Sequence, residues 1–279
     1  MIDKSAPTDY PQIIDAHVHL GPFRAFHIPD HDIDGVVGAM DRLGIDVAVI
    51  AAHAGISSDV QFGNDLVLAA AERYPDRVLG YCCINPNYSA EVPAELERCF
   101  AHPAFRGVKL HPELHGDYPM DGPAYVPMWQ FAADHETPVL SHSYFNGDRL
   151  EVFGALARQY PSVPVILGHS GLDFGIHRVV ELVRQHPNLW LDLCGALSWD
   201  GVVEELAAAV GADRLLFGTD LPFINGATQL GTLAYAKLPR SEVEMIIGRN
   251  AARLFGVPDS GRSGGGASAV PATIRNGTS

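Results

Sequence analysis

From residue 12 onward, short apolar runs alternate with longer stretches in which apolar residues recur at helical spacing. The interval is roughly 25 to 35 residues, the length of one strand and helix unit. Eight runs read as strands: QIIDAHVHL (12–20), IDVAVIAAH (45–53), VLGYCCINP (78–86), FRGVKLHP (105–112), PVLSHSY (138–144), PVILGHSG (164–171), LWLDLCGAL (189–197) and RLLFGTD (214–220). Helical periodicity is clear in DGVVEELAAAVGAD (200–213) and EVEMIIGRNAARLFG (242–256). Strands alternating with helices predict an all-parallel sheet, and eight repeats predict its closure into a single-domain α/β fold, the (β/α)8 TIM barrel. The rival is an open doubly wound sheet, but no glycine-rich G-x-G-x-x-G follows the first strand. The expected organisation is an N-terminal extension (1–11), a barrel domain (12–257) and a Gly, Ser and Pro-rich tail (258–279) without the apolar periodicity to pack, hence disordered.

Composition agrees with this picture and narrows the partners. A chain of 279 residues with 47% hydrophobic content can bury one large core. Its formal charge of −14, from 33 acidic and 19 basic side chains, argues against nucleic acid or an anionic membrane as partner. The expected partner is a small molecule, and a homo-oligomer is compatible with the same numbers. Cys82, Cys83, Cys99 and Cys194 show no C-x-x-C spacing and read as reduced, structural thiols. The N-terminal MIDKSAPTDYPQ has no apolar signal core, and no run reaches membrane-span length, so a cytoplasmic protein is expected.

The chemistry is concentrated at strand ends. In the first run Asp15, His17 and His19 occupy alternate positions, which on a regular strand share one face, with Ile14, Ala16 and Val18 on the other. Two imidazoles spaced H-x-H suit adjacent coordination positions of a metal such as zinc. Barrel chemistry sits at the C-terminal ends of the strands. There the other runs place Lys109 and His111, His142, His169 and Asp220. Each alone reads as an ordinary capping or core residue. Their recurrence at one end of so many strands is explained together by a shared ion.

The motifs D-x-H-x-H, G-V-K-L-H-P, G-H-S-G, L-F-G-T-D-x-P and G-R-N-A-A-R-L-F-G, between residue 12 and about 257, resemble those of the amidohydrolase superfamily. The closer likeness is to its amidohydrolase-related branch, which includes aminocarboxymuconate-semialdehyde decarboxylase. The resemblance implies that His17, His19, His142 and Asp220 hold one divalent metal, with His169 beside it as an acid/base or polarising group. Zinc is the first expectation, manganese the alternative, and a second metal is not expected. Three imidazoles, a carboxylate and water form a donor set that suits zinc with an open position. Asp15 is read as a residue that orients its neighbours rather than a ligand.

Lys109 is one of only three lysines, beside Lys4 and Lys237, against sixteen arginines. In two-metal members of the superfamily a strand-four lysine is carboxylated and bridges the ions. The K-L-H-P context favours instead an unmodified ammonium that binds an anionic substrate. His111, Arg24 and Trp199 are further candidates for substrate contact, and His53 for the pocket wall, by their positions at strand ends and in adjoining loops. The expected activity is metal-dependent hydrolysis of a small amide, ester or lactone, with Asp220 taking a proton from activated water. The alternative is a carboxy-lyase on the same scaffold, in which the ion orients a carboxylated substrate and a histidine manages the proton. The short chain and the K-L-H-P strand tilt the reading to hydrolase.

Overall fold

In the computed structural model, which describes residues 10–143, 150–195 and 199–258, eight parallel strands pair in chain order. They are β1 (Ile14–Leu20), β2 (Val47–Ala52), β3 (Val78–Cys83), β4 (Phe105–Leu110), β5 (Val139–His142), β6 (Val165–Gly168), β7 (Leu189–Asp192) and β8 (Leu215–Leu216). Backbone hydrogen bonds from Ala16 N to Phe217 O (2.9 Å) and from Asp220 N to His17 O (2.8 Å) carry the ring from the β8 segment back to β1. All eight strands fall within the runs marked by the sequence. Strand β8 is shorter than expected because Phe217 to Asp220 bond to β1 and to the helical segment behind it rather than continuing the ladder with β7.

The strands are nearly continuous apolar runs because both faces are buried. In β2, Val47, Val49 and Ala51 pack with Ile14, Leu140, Ile166 and Leu216 in the barrel interior, whereas Ala48, Ile50 and Ala52 belong to the layer under the helices. That outer layer is covered by α1 (Ile33–Leu43), α2 (Val60–Arg73), α3 (Val92–Phe100), α4 (Val126–Asp134), α5 (Leu150–Gln159), α6 (Ile176–Gln185), α7 (Val202–Val210) and α8 (Gly226–Ala234). Local chemistry sets their ends: Asp32 and Asp59 accept from the N–H groups of Gly35 and Phe62, and α1 stops at Gly44 in the left-handed region. The expected helix over 242–256 is divided into α9 (Arg240–Glu244), a π-helical turn (Met245–Arg249) and α10 (Asn250–Phe255). The wider turn brings Gly248 so close to the Gln12 carbonyl that a Cβ would lie 2.1 Å from its oxygen.

One expectation about β1 is corrected. The pairing of Asp15 with Ala48 is followed by that of Val18 with Ile50, so β1 carries one extra residue there. A bulge of this kind reverses the alternation of faces. Asp15 therefore lies on the opposite face from His17 and His19. Its carboxylate instead accepts from His17 N (3.1 Å), Thr219 N (3.0 Å) and Thr219 Oγ1 (2.5 Å), fastening the bulge to the segment after β8. The expected N-terminal extension up to residue 9 and the disordered tail from residue 259 lie outside the described residues. Among the described residues no helix is long and apolar enough to cross a membrane.

Candidate active site

The bulge aims two imidazoles at one point above the barrel core. His17 is tied through Nδ1 to Asp192 Oδ2 at the end of β7 (2.6 Å), and His19 through Nδ1 to the Ala51 carbonyl on β2 (2.9 Å). Each acceptor holds the proton on Nδ1 and leaves the Nε2 lone pair facing the centre. Asp220 completes the group, with Oδ1 3.1 Å from His19 Nε2 and 3.7 Å from His17 Nε2. Asp220, His169 and Ser170 all have φ near +60°. For non-glycine residues this conformation costs on the order of 1–3 kcal/mol each and clusters at functional sites.

One nitrogen from each histidine and one oxygen from Asp220 lie within 4.8 Å of one another, and all three residues are buried. Two neutral imidazoles whose other nitrogens are already committed, plus a carboxylate, form a donor set that fits a divalent cation and leaves positions open. Burial, with smaller repulsion from Lys109 and His19, holds His17 well below the ordinary imidazole range, so it is neutral as a ligand must be. Burial alone would raise Asp220, but the imidazoles of His19, His17 and His169 that face it favour its anion and the carboxyl lies well below its usual range. Burial lifts Asp192 to about 6 and Asp15 to about 8, the latter against three hydrogen bonds that favour the anion.

The other strand-end residues surround this group. His142 Nδ1 is 3.1 Å from His169 Nε2, and His169 Nδ1 is 3.0 Å from the Cys194 carbonyl. His111 stacks on His142 with centroids 4.0 Å apart, and His53 stacks on His19 at 4.8 Å. Burial also lowers His169 to about 4 and His53 to about 3. A cavity of about 350 Å³ opens over them. Its wall combines His19, His53, His111, His142, His169 and Asp220 with Phe23, Ile56, Leu114 and Phe223, and with the carboxylate of Glu113. Glu113 lies 3.8 Å from His142 Nε2 and is shifted upward, mainly by burial.

Of the four expected metal ligands the structure gathers His17, His19 and Asp220 in one triple. His142 stands beside it, linked through His169. Of the expected substrate contacts, only His111 lines the cavity. Lys109 is 1% exposed and does not line the cavity; its Nζ lies 2.7 Å from His17 Nε2, the nitrogen that faces the centre of the triple. Arg24 is exposed on the surface loop after β1, and Trp199, 45% exposed, stands off the wall. Asp192, Glu113, Phe23 and Phe223 were not legible as site residues. Asp192 had one signal, an acidic residue inside the apolar run LWLDLCG; Glu113 lies in a turn beyond β4, where periodicity carries no information.

Comparison with known proteins places these observations. A family model described as amidohydrolase matches residues 14–257. The curated gamma-resorcylate decarboxylase of a Polaromonas species is 22% identical over 269 residues, covering 78% of this chain and 81% of that protein. An uncharacterised TIM-barrel protein from Bordetella bronchiseptica superposes with a TM-score of 0.73 at 19% identity, over 88% of this chain and 99% of that one. A dihydroxybenzoic acid decarboxylase from Polaromonas, solved with bound manganese and the inhibitor 2-nitroresorcinol, gives 0.67 at 19% identity, over 88% and 97%. These structures share the fold. The expectation of hydrolysis is corrected here: the curated relative with a named activity is a decarboxylase, which favours the carboxy-lyase alternative. The family name does not decide the reaction, because one donor set serves both chemistries. With its model matched from β1 to the end of α10, the chain belongs to the amidohydrolase family.

Proposed function

We propose that this chain is a metal-dependent carboxy-lyase that releases carbon dioxide from a small aromatic carboxylic acid. The observation that carries the reading is the match to a decarboxylase along 78% of the chain. The site supports it. Aromatic and aliphatic side chains wall a cavity of about 350 Å³, large enough for a single ring, with the His17, His19 and Asp220 triple at its base. His17, His19 and Asp220 would hold a divalent ion, which would supply positive charge for the substrate carboxylate. We assign one such ion, and manganese takes precedence over the zinc expected from the donors because the solved dihydroxybenzoic acid decarboxylase holds it.

In the reaction a proton adds to the ring carbon that bears the carboxylate. The bond from that carbon to the carboxylate then breaks, its electron pair restores the ring, and carbon dioxide leaves. His169 takes this proton from solvent at Nε2, the nitrogen left unprotonated while Nδ1 donates to the Cys194 carbonyl, and passes it to the ring carbon, with His142 Nδ1 at 3.1 Å as its exchange partner. Phe23, Phe223, Ile56 and Leu114 supply the apolar wall against which the ring would pack. Asp192 and the Ala51 carbonyl keep His17 and His19 in the tautomer that serves the ion.

The test is incubation of manganese-loaded protein with 2,6-dihydroxybenzoate in D2O, read by NMR. The reading predicts a product carrying one deuterium at the former carboxyl position. Turnover of amides, esters or lactones with no acid consumed, across a panel of aromatic acids, refutes it.

A further inference from the structure

Glu113 is not used by the chemistry above. It opens the short turn Glu113–His115 beyond β4, and its side chain, 43% exposed, lines the cavity with the carboxylate 3.8 Å from His142 Nε2. That imidazole does not neutralise it: burial, with smaller repulsion from His111 and His169, holds His142 well below the ordinary imidazole range. Burial does the same to His111 and lowers His169 to about 4 and His53 to about 3, so these rings of the wall are neutral at pH 7. Burial first, and then the negative charge of Asp117, shift Glu113 itself upward. The described residues of the wall include neither arginine nor lysine.

The cavity therefore has two electrostatic ends. At its base the ion proposed for His17, His19 and Asp220 attracts one carboxylate, whereas the Glu113 wall presents a carboxylate of its own. The geometry points to Glu113 as the residue that restricts the site to aromatic acids with a single carboxylate, by repelling a second one on the same ring. In a cavity of about 350 Å³ a second carboxylate cannot be placed remote from Glu113. Like charges ~7 Å apart near a protein surface repel enough to shift an equilibrium by more than 10-fold, and the exposure of Glu113 brings the expected effect down to roughly 10-fold. Neutral imidazoles and apolar side chains supply no charge to offset it. The inference rests on the carboxy-lyase reading for the class of ligand only.

The experiment measures binding, so that it stands apart from turnover. Manganese-loaded protein at pH 8, well above the ordinary carboxylate range, is titrated calorimetrically with benzene-1,3- and benzene-1,4-dicarboxylate. Each is compared with 3- or 4-carbamoylbenzoate, in which a neutral amide of similar shape replaces one carboxylate. At one or both ring positions the amide binds roughly 10-fold more tightly than the diacid. Glu113→Gln removes that margin, and Glu113→Lys reverses it. Circular dichroism identifies which variants fold. Diacids that bind the wild type as tightly as the amides at both positions overturn the inference, as does a margin that survives in folded Glu113→Gln. The margin without carbon dioxide release from any aromatic acid would refute the carboxy-lyase reading and leave the role of Glu113 standing.

Discussion

Replacing Asp192 by asparagine probes how the proposed metal centre is held without touching a proposed ligand. Asp192 is fully buried and uses both oxygens: Oδ2 faces His17 Nδ1 at 2.6 Å, and Oδ1 accepts from Cys194 N at 2.6 Å. Asparagine offers one acceptor and one N–H2 group to the same two donors. The Cys194 amide cannot change, but the imidazole can move its proton from Nδ1 to Nε2. The variant therefore shifts His17 toward the tautomer whose Nε2 lone pair is lost to the ion. Losing such an orienting partner costs about 10- to 100-fold in metal affinity, or roughly 1.4 to 2.7 kcal/mol. The assay is competition against a chelating dye with Mn2+ and with Zn2+ at fixed pH, alongside a melting curve to establish folding. A folded variant that binds both metals within twofold of wild type refutes the argument that Asp192 sets the His17 tautomer.

Other expectations follow from the same geometry. His17→Ala removes bound metal and activity together, read by elemental analysis and a carbon dioxide assay. His169→Asn keeps stoichiometric metal but loses activity by about 10² to 10⁴, the range of an acid/base group; loss of the metal would make His169 a ligand. Lys109→Met raises metal affinity rather than selectively raising KM, because Nζ meets His17 Nε2, the nitrogen that faces the ion, and an ammonium there competes with a cation. Burial would raise Glu95, but Arg98 and Asn64 hold its carboxyl below the ordinary 4.5. Its stabilising contribution is thus present above about 4.5 and is lost as pH falls through the lower folded value. Glu95→Gln flattens the acid limb of a plot of Tm against pH.

The barrel was readable because its strands are buried on both faces and so stand out as apolar runs, and because polar residues recur at their C-terminal ends. That pattern located His17, His19, His142, His169 and Asp220, all of which the structure brings to one mouth. What periodicity could not carry was the bulge in β1. A single extra residue moved Asp15 to the other face, and nothing in D-x-H-x-H distinguishes a regular strand from a bulged one. Depth along a strand was equally hidden. Lys109 and His111 are two residues apart on β4 and the turn after it, yet His111 lines the cavity and Lys109 meets His17 instead. The reaction itself was misread toward hydrolysis because the two chemistries use the same donors and differ in how the substrate is posed.

The most direct test of the central claim uses 2,6-dihydroxybenzoate labelled with ¹³C in the carboxyl group and follows labelled carbon dioxide by mass spectrometry, in metal-free protein and after adding Mn2+. The account predicts release that appears on metal addition, equals the acid consumed and is absent in His17→Ala. Equal release from His17→Ala and wild type, or no release from this or any related aromatic acid by the manganese-loaded protein, contradicts it.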